Sequence, residues 1–514
     1  MKHFIDEKTV MRFYLERMEQ DEILFLQGKD SVKEEIRQAL EKLIAESKMN
    51  NKIQLATVLW KKLFEAAMSY ISANKKGYDK IFKYFDSYVE FEELIFASDS
   101  FYRDHTLHCL WVYFLGEYLY NKPEFSDLYR AERETNEGYK LLSKLPDNVE
   151  ILEGKDVRIL KALLKMIDDS MPLKDSVRCL AALTHDLGYP LKKIEKINKS
   201  MNKVLPFFAI HNFDNFSFEY ENIQQEFVNR FIDFISRQGI VNLGPKSDLS
   251  EAGQAVLQRI LDSEGYDDSN MKCFVSSLES LSDEDKALLK GSFGVEALFH
   301  APFGKQAAYY NDFEAYQHGI MSAFLLMKNL QAFQEIDYCR PDRLIPIPNA
   351  ETTALHEILS SISNHTCDNY QIQRIDDGAF LTFVDELEEF SRISRASQNR
   401  EYVEEFCDTA LYMEDGWLNV VFEFNNDKLD NLDPEISFKG RCKRFLSLFD
   451  IANLDKYLKI RVTIVGKLPT DENEYVLEIA RKHADIRING ESMDIPKYLK
   501  STQYLTKEEY ARMK

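Results

Sequence analysis

Through residues 1–95, apolar positions recur at helical spacing among charged ones, as in Val10, Phe13, Tyr14 and Met18 and later in Leu40, Leu43 and Ile44. This pattern predicts amphipathic helices. No chemistry-bearing motif falls among them, so this region is expected to be structural or to carry an interaction. Between Phe101 and Tyr120 the pattern changes. Leu107, Trp111, Phe114 and Tyr118 form one helical stripe, while Val112 and Leu115 fill the other side beside His105 and His108. A helix that is apolar nearly all round is buried, which places both histidines inside the protein.

Further helices are predicted over Asp175–Leu187, Asp312–Phe333, Thr352–Asn364 and Asp377–Arg392. The first is capped at Asp175 or Ser176 and stopped by Gly188 and Pro190. The others carry His318, lead into His365 and carry Asp385, respectively. Residues 200–312 read as a mixed insertion with surface stretches at 239–253 and 262–270. After about residue 397 the texture turns β-branched and aromatic. Trp417–Phe424 and Tyr457–Val465 read as strands and Glu435–Phe449 as a helix; Tyr475–Ile479 and Ala484–Ile488 read as strands or short helices. The expectation is a mainly α protein: an N-terminal helical region over 1–95, a helical bundle over 96–396 and a small α+β domain over 397–514.

Composition narrows the functional classes. The 514 residues hold 86 acids against 65 bases, a net charge of -21. That balance disfavours a general nucleic-acid coat, because duplexes are held mostly by Lys and Arg on phosphates. It is compatible with a metal site. The seven cysteines, Cys109 to Cys442, include no pair within four residues, which fits reduced thiols in a cytoplasmic protein. No run of about 18 apolar residues occurs, so no membrane span is expected.

The ten histidines carry the chemistry. Neutral imidazole is the commonest transition-metal ligand. Asp104-His105-Thr106-Leu107-His108 sits on the buried helix, His185-Asp186 at a helix end, and His318, His365 and Asp385 on later helices. This ordered set resembles the HD-domain metal-dependent phosphohydrolases, in the multi-histidine branch that includes HD-GYP phosphodiesterases and CRISPR HD nucleases. The stretch Arg103 to Val112 looks like the family's first motif, with His108 and Val112 in the usual four-residue relation. His185 and Asp186 match the doublet. Gln317-His318-Gly319 and Asn364-His365 look like the added histidine motifs, and Phe383-Val384-Asp385 like the closing Asp motif. The resemblance covers roughly residues 95–395 and skips the insertion. It implies an HD-type helical bundle in which His108, His185, Asp186 and Asp385 hold one metal, and His318 and His365 a second. By its own periodicity Asp385 points away from the stripe of Phe380, Phe383, Val384 and Leu387, and reads as a solvated acid unless its helix is buried on two sides. His356 and His365, nine residues apart, face opposite ways, so at most one is a ligand. His211 reads as packing or capping. His105 has three readings: a ligand, a general acid for the leaving group, or a hydrogen-bonding neighbour of the ligands.

Such a set would hold one or two divalent ions (Mn, Fe, Ni, Zn or Mg), lowering the pKa of bound water and clamping a phosphoester. His105 and Asp186 would take the catalytic roles. Beyond the doublet, Lys192, Lys196, Lys199 and Lys203 fall on one helical face with Lys193 beside them. Lys192, Lys193 and Lys196 are candidate substrate contacts, the bland reading being a solvated face. The expected activity is hydrolysis of a phosphodiester or phosphomonoester in a nucleotide or single-stranded nucleic acid. A rival reading is a nucleotide-sensing or assembly module with weak or no catalysis, binding a protein partner or a second copy through its flanks.

Overall fold

The computed structural model describes residues 4–96, 101–145, 150–208, 222–246, 248–263, 266, 270–336, 347–367, 369–394, 407–426 and 433–493. The protein is mainly helical, with a sheet near its C-terminal end. Among the described residues no helix is long and apolar enough to cross a membrane.

The helix His105–Asn121 is the axis of the molecule. Every residue from His105 to Leu119 is buried, as its all-round apolar pattern predicts. It is surrounded by helices Glu7–Glu19, Met49–Ile71, Lys174–Thr184 and Asp377–Leu387. Asp104 caps it, accepting from Leu107 N at 2.9 Å. Burying a side chain such as Phe114 or Leu110 contributes about 1.5–3 kcal/mol each. One buried acid interrupts this axis. Glu117 pairs with Arg178 Nε at 2.8 Å and with Arg17 Nη1. Removing the carboxylate would leave Arg178 with Asp175 alone and Arg17 with Glu22 alone among the described carboxylates, and breaking a buried pair costs about 3–5 kcal/mol. The network fastens the N-terminal helix to the bundle.

Three predicted helices differ from the structure. The doublet helix begins at Lys174, led in by the 3-10 turn Met171–Leu173, so neither Asp175 nor Ser176 is its cap. Asp175 instead accepts from Leu24 N at 3.2 Å and pairs with Arg178 at 2.6 Å. Pro190 opens the next helix, Tyr189–Val204, near its first turn, where a missing N–H costs nothing. The predicted Asp312–Phe333 helix is broken: Phe303–Glu314 ends, Tyr316 takes a left-handed φ of 51°, and His318–Asn329 starts afresh. The predicted Asp377–Arg392 helix stops at Leu387, and Glu388 turns to extended backbone. Strand Arg392–Ser394 then pairs with Phe101–Arg103.

Gly188 lets the doublet turn touch the His318 helix. A Cβ there would lie 2.3 Å from His318 O. The contact is sealed by Ser322 Oγ, which accepts from Gly188 N at 2.7 Å and donates to His185 O at 2.6 Å.

Seven strands form the C-terminal sheet. Asp408–Glu414, Trp417–Phe424, Ile460–Gly466, Glu474–Ala480, His483–Ile488 and Glu491–Met493 lie in chain order. Trp417–Phe424 and Ile460–Gly466 are parallel, joined through the helix Pro434–Leu448. The strand Phe4–Ile5 adds to the free edge of Asp408–Glu414, so the chain's beginning closes this sheet. Tyr475–Ile479 and Ala484–Ile488 are both strands. The predicted insertion divides between two cores. Phe231, Ile232, Ala308 and Tyr309 join the main one. The hairpin Gln238–Pro245 with Phe293–His300 packs with Leu142, Leu160, Val256 and Val275 in a separate cluster.

Candidate metal centre

Five helices deliver the six predicted ligands to one place. His108 lies in the first turn of His105–Asn121. His185 and Asp186 follow the last residue of Lys174–Thr184. His318 opens its helix, His365 ends Ala350–Asn364, and Asp385 lies in the last turn of Asp377–Leu387. Asp385 points away from its own apolar stripe, but its helix is buried on more than one side, and its side chain is only 13% exposed.

Asp186 stands at the centre. Its Oδ2 lies 3.3 Å from His185 Nε2 and 3.7 Å from His108 Nε2. Its Oδ1 lies 3.3 Å from His318 Nε2 and 3.7 Å from His365 Nε2. Asp385 Oδ1 closes the first group, 2.8 Å from His108 Nε2 and 3.9 Å from His185 Nε2. Two of three compact donor groups among the described residues therefore share the Asp186 carboxylate, and the third, His185, His365 and Asp385, spans them. Within His108, His185 and Asp186, and within Asp186, His318 and His365, the donor atoms lie inside 4.8 Å of one another. That is compact enough to surround an ion at bond lengths of about 2.0–2.2 Å.

The ring orientations fit metal binding. His185 Nδ1 bonds to Ala182 O at 2.8 Å, and His365 Nδ1 bonds to Ile362 O. A carbonyl only accepts, so each Nδ1 carries the proton, and in the neutral ring Nε2 presents its lone pair to the centre. His108 Nδ1 lies 2.5 Å from Glu388 Oε2, which turns Nε2 toward Asp385 and Asp186. The buried Nε2 of His365 has no hydrogen-bond partner among the described residues. A buried nitrogen without a partner is unusual; a cation shared with Asp186 would satisfy it.

The electrostatics couple the carboxylates of the centre to its imidazoles. Burial opposes the charge on Asp186, but His185, His365 and His318 outweigh it and hold the carboxyl well below the usual range. Asp385 is likewise held low against burial, by His108 and Arg103. Burial opposes a proton on His185 too, yet Asp186 and Cys109 raise that imidazole well above its usual value. Burial and the neighbouring His365 and His185 push His318 down to about 3, against the pull of Asp186. At neutral pH, His318 is therefore in the neutral form that a metal requires.

His105 stands outside both donor sets. Its Nδ1 lies 2.7 Å from Glu92 Oε2, and its ring packs on Tyr189 at 3.9 Å between centroids. Tyr189 in turn meets His318 edge-on at 5.2 Å. Of the lysines, Lys193 Nζ sits 4.5 Å over the Tyr189 ring and Lys192 Nζ donates to Ala315 O at 3.3 Å. Lys203 is exposed. The side chains of Lys196 and Lys199, and all of His211, lie outside the described residues. His356 faces Phe234 at 5.4 Å, away from the centre.

Three participants escaped the sequence reading: Glu388, Glu92 and Arg103. Arg103 Nη1 lies 3.3 Å from Asp385 Oδ1. Glu388 follows Asp385 by three residues, the spacing that shares one helix face, but its residue type alone did not tie it to His108. Glu92 belongs to a helix with no motif. No family model, curated protein or solved structure matches the chain.

Proposed function

We propose that this protein is an HD-type metal-dependent phosphohydrolase that holds two divalent ions and cleaves a phosphoester in a nucleotide or a single-stranded nucleic acid. The observation that carries the reading is Asp186, with one carboxylate oxygen turned to His108 and His185 and the other to His318 and His365. A carboxylate shared in this way suits a pair of ions. Bound there, they would neutralise phosphoryl oxygens and supply activated water near neutral pH.

The chain's own residues do the rest. His108, His185, Asp186 and Asp385 hold one position; His318, His365 and Asp186 hold the other. Glu388 and the Ala182 and Ile362 carbonyls fix the tautomers. His105, oriented by Glu92, would give a proton to the leaving oxygen; burial opposes that proton, and Glu92 outweighs it and raises the pKa. Lys192 and Lys193 bring positive charge to the helix that follows the doublet, in an otherwise acidic protein.

The test is a screen of Mn²⁺-supported hydrolysis over nucleotides, cyclic dinucleotides and labelled single strands, with Asp186→Ala beside the wild type. Turnover that vanishes in Asp186→Ala is expected. A wild type that neither takes up Mn²⁺ nor turns over any of these substrates overturns the reading. Ion uptake without turnover would favour the sensing or assembly module instead.

A further inference from the structure

The C-terminal α+β domain reaches the candidate metal centre through one helix. Pro434–Leu448 buries Phe438, Cys442, Phe445 and Leu446 in the main core and turns two arginines outward. Arg441 donates through Nη1 to the Glu386 carbonyl and pairs through Nη2 with Glu389 Oε1. Arg444 pairs through Nε with Glu386 Oε1 at 2.5 Å and donates through Nη2 to His365 O at 3.1 Å.

These contacts fall beside the turn that carries Glu388, which Ser391 N and Oγ also bond at 2.7 and 2.6 Å. The Asp385 helix ends at Leu387 and the next strand starts at Arg392. The residues between lie outside helix and strand, yet Glu388 there must hold His108 Nδ1. From the other side, Arg103 Nη2 donates to Glu388 O at 2.9 Å. The turn is therefore gripped by Arg103 from the bundle and by Arg441 and Arg444 from the C-terminal domain. Arg444 also holds the backbone of His365, in the second donor set. Guanidinium bonds to carboxylates and carbonyls at such half-buried sites are charge-assisted and directional.

We infer that Arg441 and Arg444 are positioning residues for the metal centre, so that docking of the C-terminal domain and ion binding form one coupled equilibrium. The inference rests on the two-ion reading above. Coupling is reciprocal: displacing the domain loosens the ligands, and filling the site tightens the domain.

Two measurements on the full chain test it. In the first, Mn²⁺ binding is followed by calorimetry. Arg441→Ala and Arg444→Ala should each weaken it about tenfold or more, the scale seen when groups supporting metal ligands are removed. Arg441→Lys and Arg444→Lys should fall between, since an ammonium cannot reproduce both bonds of the fork. Arg461→Ala is the control. Arg461 pairs with Glu478 at 2.7 Å and with Asn419 at 3.1 Å inside the same domain's sheet, and its loss should leave Mn²⁺ affinity unchanged whatever it does to the melting temperature. In the second, saturating Mn²⁺ added to the wild type should slow amide exchange in 434–448 more than in 474–480. Unchanged affinity in folded Arg441 and Arg444 variants, or unchanged exchange in 434–448, overturns the coupling. A wild type that binds no Mn²⁺ overturns the two-ion reading itself. Should the alanine variants fail to fold, the lysine variants and the exchange measurement decide.

Discussion

Glu388 Oε2 and His108 Nδ1 lie 2.5 Å apart, both fully buried, though the two residues stand 280 positions apart in the chain. The pair sets which face of the imidazole meets Asp186 and Asp385. A carboxylate behind a ligand histidine fixes its tautomer and raises its basicity. Burial opposes the charge on Glu388, but His108 and Arg103 hold its carboxyl below the usual range. Glu388→Ala should therefore weaken Mn²⁺ binding about 10–100-fold. Glu388→Gln, which keeps an acceptor oxygen, should lose less. Titration calorimetry on both variants checks the order.

The shared carboxylate makes a prediction about ion number. His318→Ala removes a donor from one set only and should lower bound Mn²⁺ from two ions per chain to one. Asp186→Ala removes the oxygen common to both sets and should lower it to none. Elemental analysis after gel filtration gives the counts. Equal counts in the two variants would contradict a bridging role for Asp186.

His105 is held outside both donor sets, so its loss should separate catalysis from metal content. His105→Gln and Glu92→Gln should keep the wild-type ion count while lowering kcat by about 10²–10⁴, the range for a general acid. A leaving group that needs no proton, such as p-nitrophenolate, should recover much of the lost rate in His105→Gln. Loss of bound metal in either variant would return His105 to the ligand reading.

Burial, with the Lys305 and Arg237 charges nearby, pushes His356 down to about 4, against backbone bonding at Arg237 and Phe234. The ordinary value is about 6.5, so the unfolded chain takes the proton first as pH falls. The stability contributed by neutral His356 is then complete above about pH 6.5 and lost progressively toward pH 4. The loss over that window is on the order of 3 kcal/mol. His356→Gln should flatten the urea-unfolding profile by that amount between pH 7 and pH 4.5. A variant whose profile parallels the wild type would refute the assignment.

Much of the architecture was legible in the chain. The all-round apolar pattern of residues 105–119 dictated a buried helix, because no face of it could meet water without exposing hydrocarbon. The ligand residue types could be read from the histidine order, and the strands Trp417–Phe424 and Ile460–Gly466 from their β-branched runs. Periodicity failed where local preference lost to long-range contact. Nothing near residue 316 announces the left-handed Tyr316 that restarts the helix at His318. Nothing in 377–392 announces the stop at Leu387 and the extended backbone that follows it. The strand Phe4–Ile5 is too short to read alone and exists because an edge four hundred residues later receives it.

The sequence by itself determined a mainly helical chain with imidazoles and carboxylates on buried elements, since hydrophobic periodicity is a local property of neighbouring residues. Only the tertiary structure decided that Asp186 faces two histidine pairs at once, that Glu388 and Glu92 stand behind His108 and His105, and that Arg441 and Arg444 grip the turn beside them. Those relations depend on distances of a few ångströms between helices far apart in sequence, and packing of the whole core sets them.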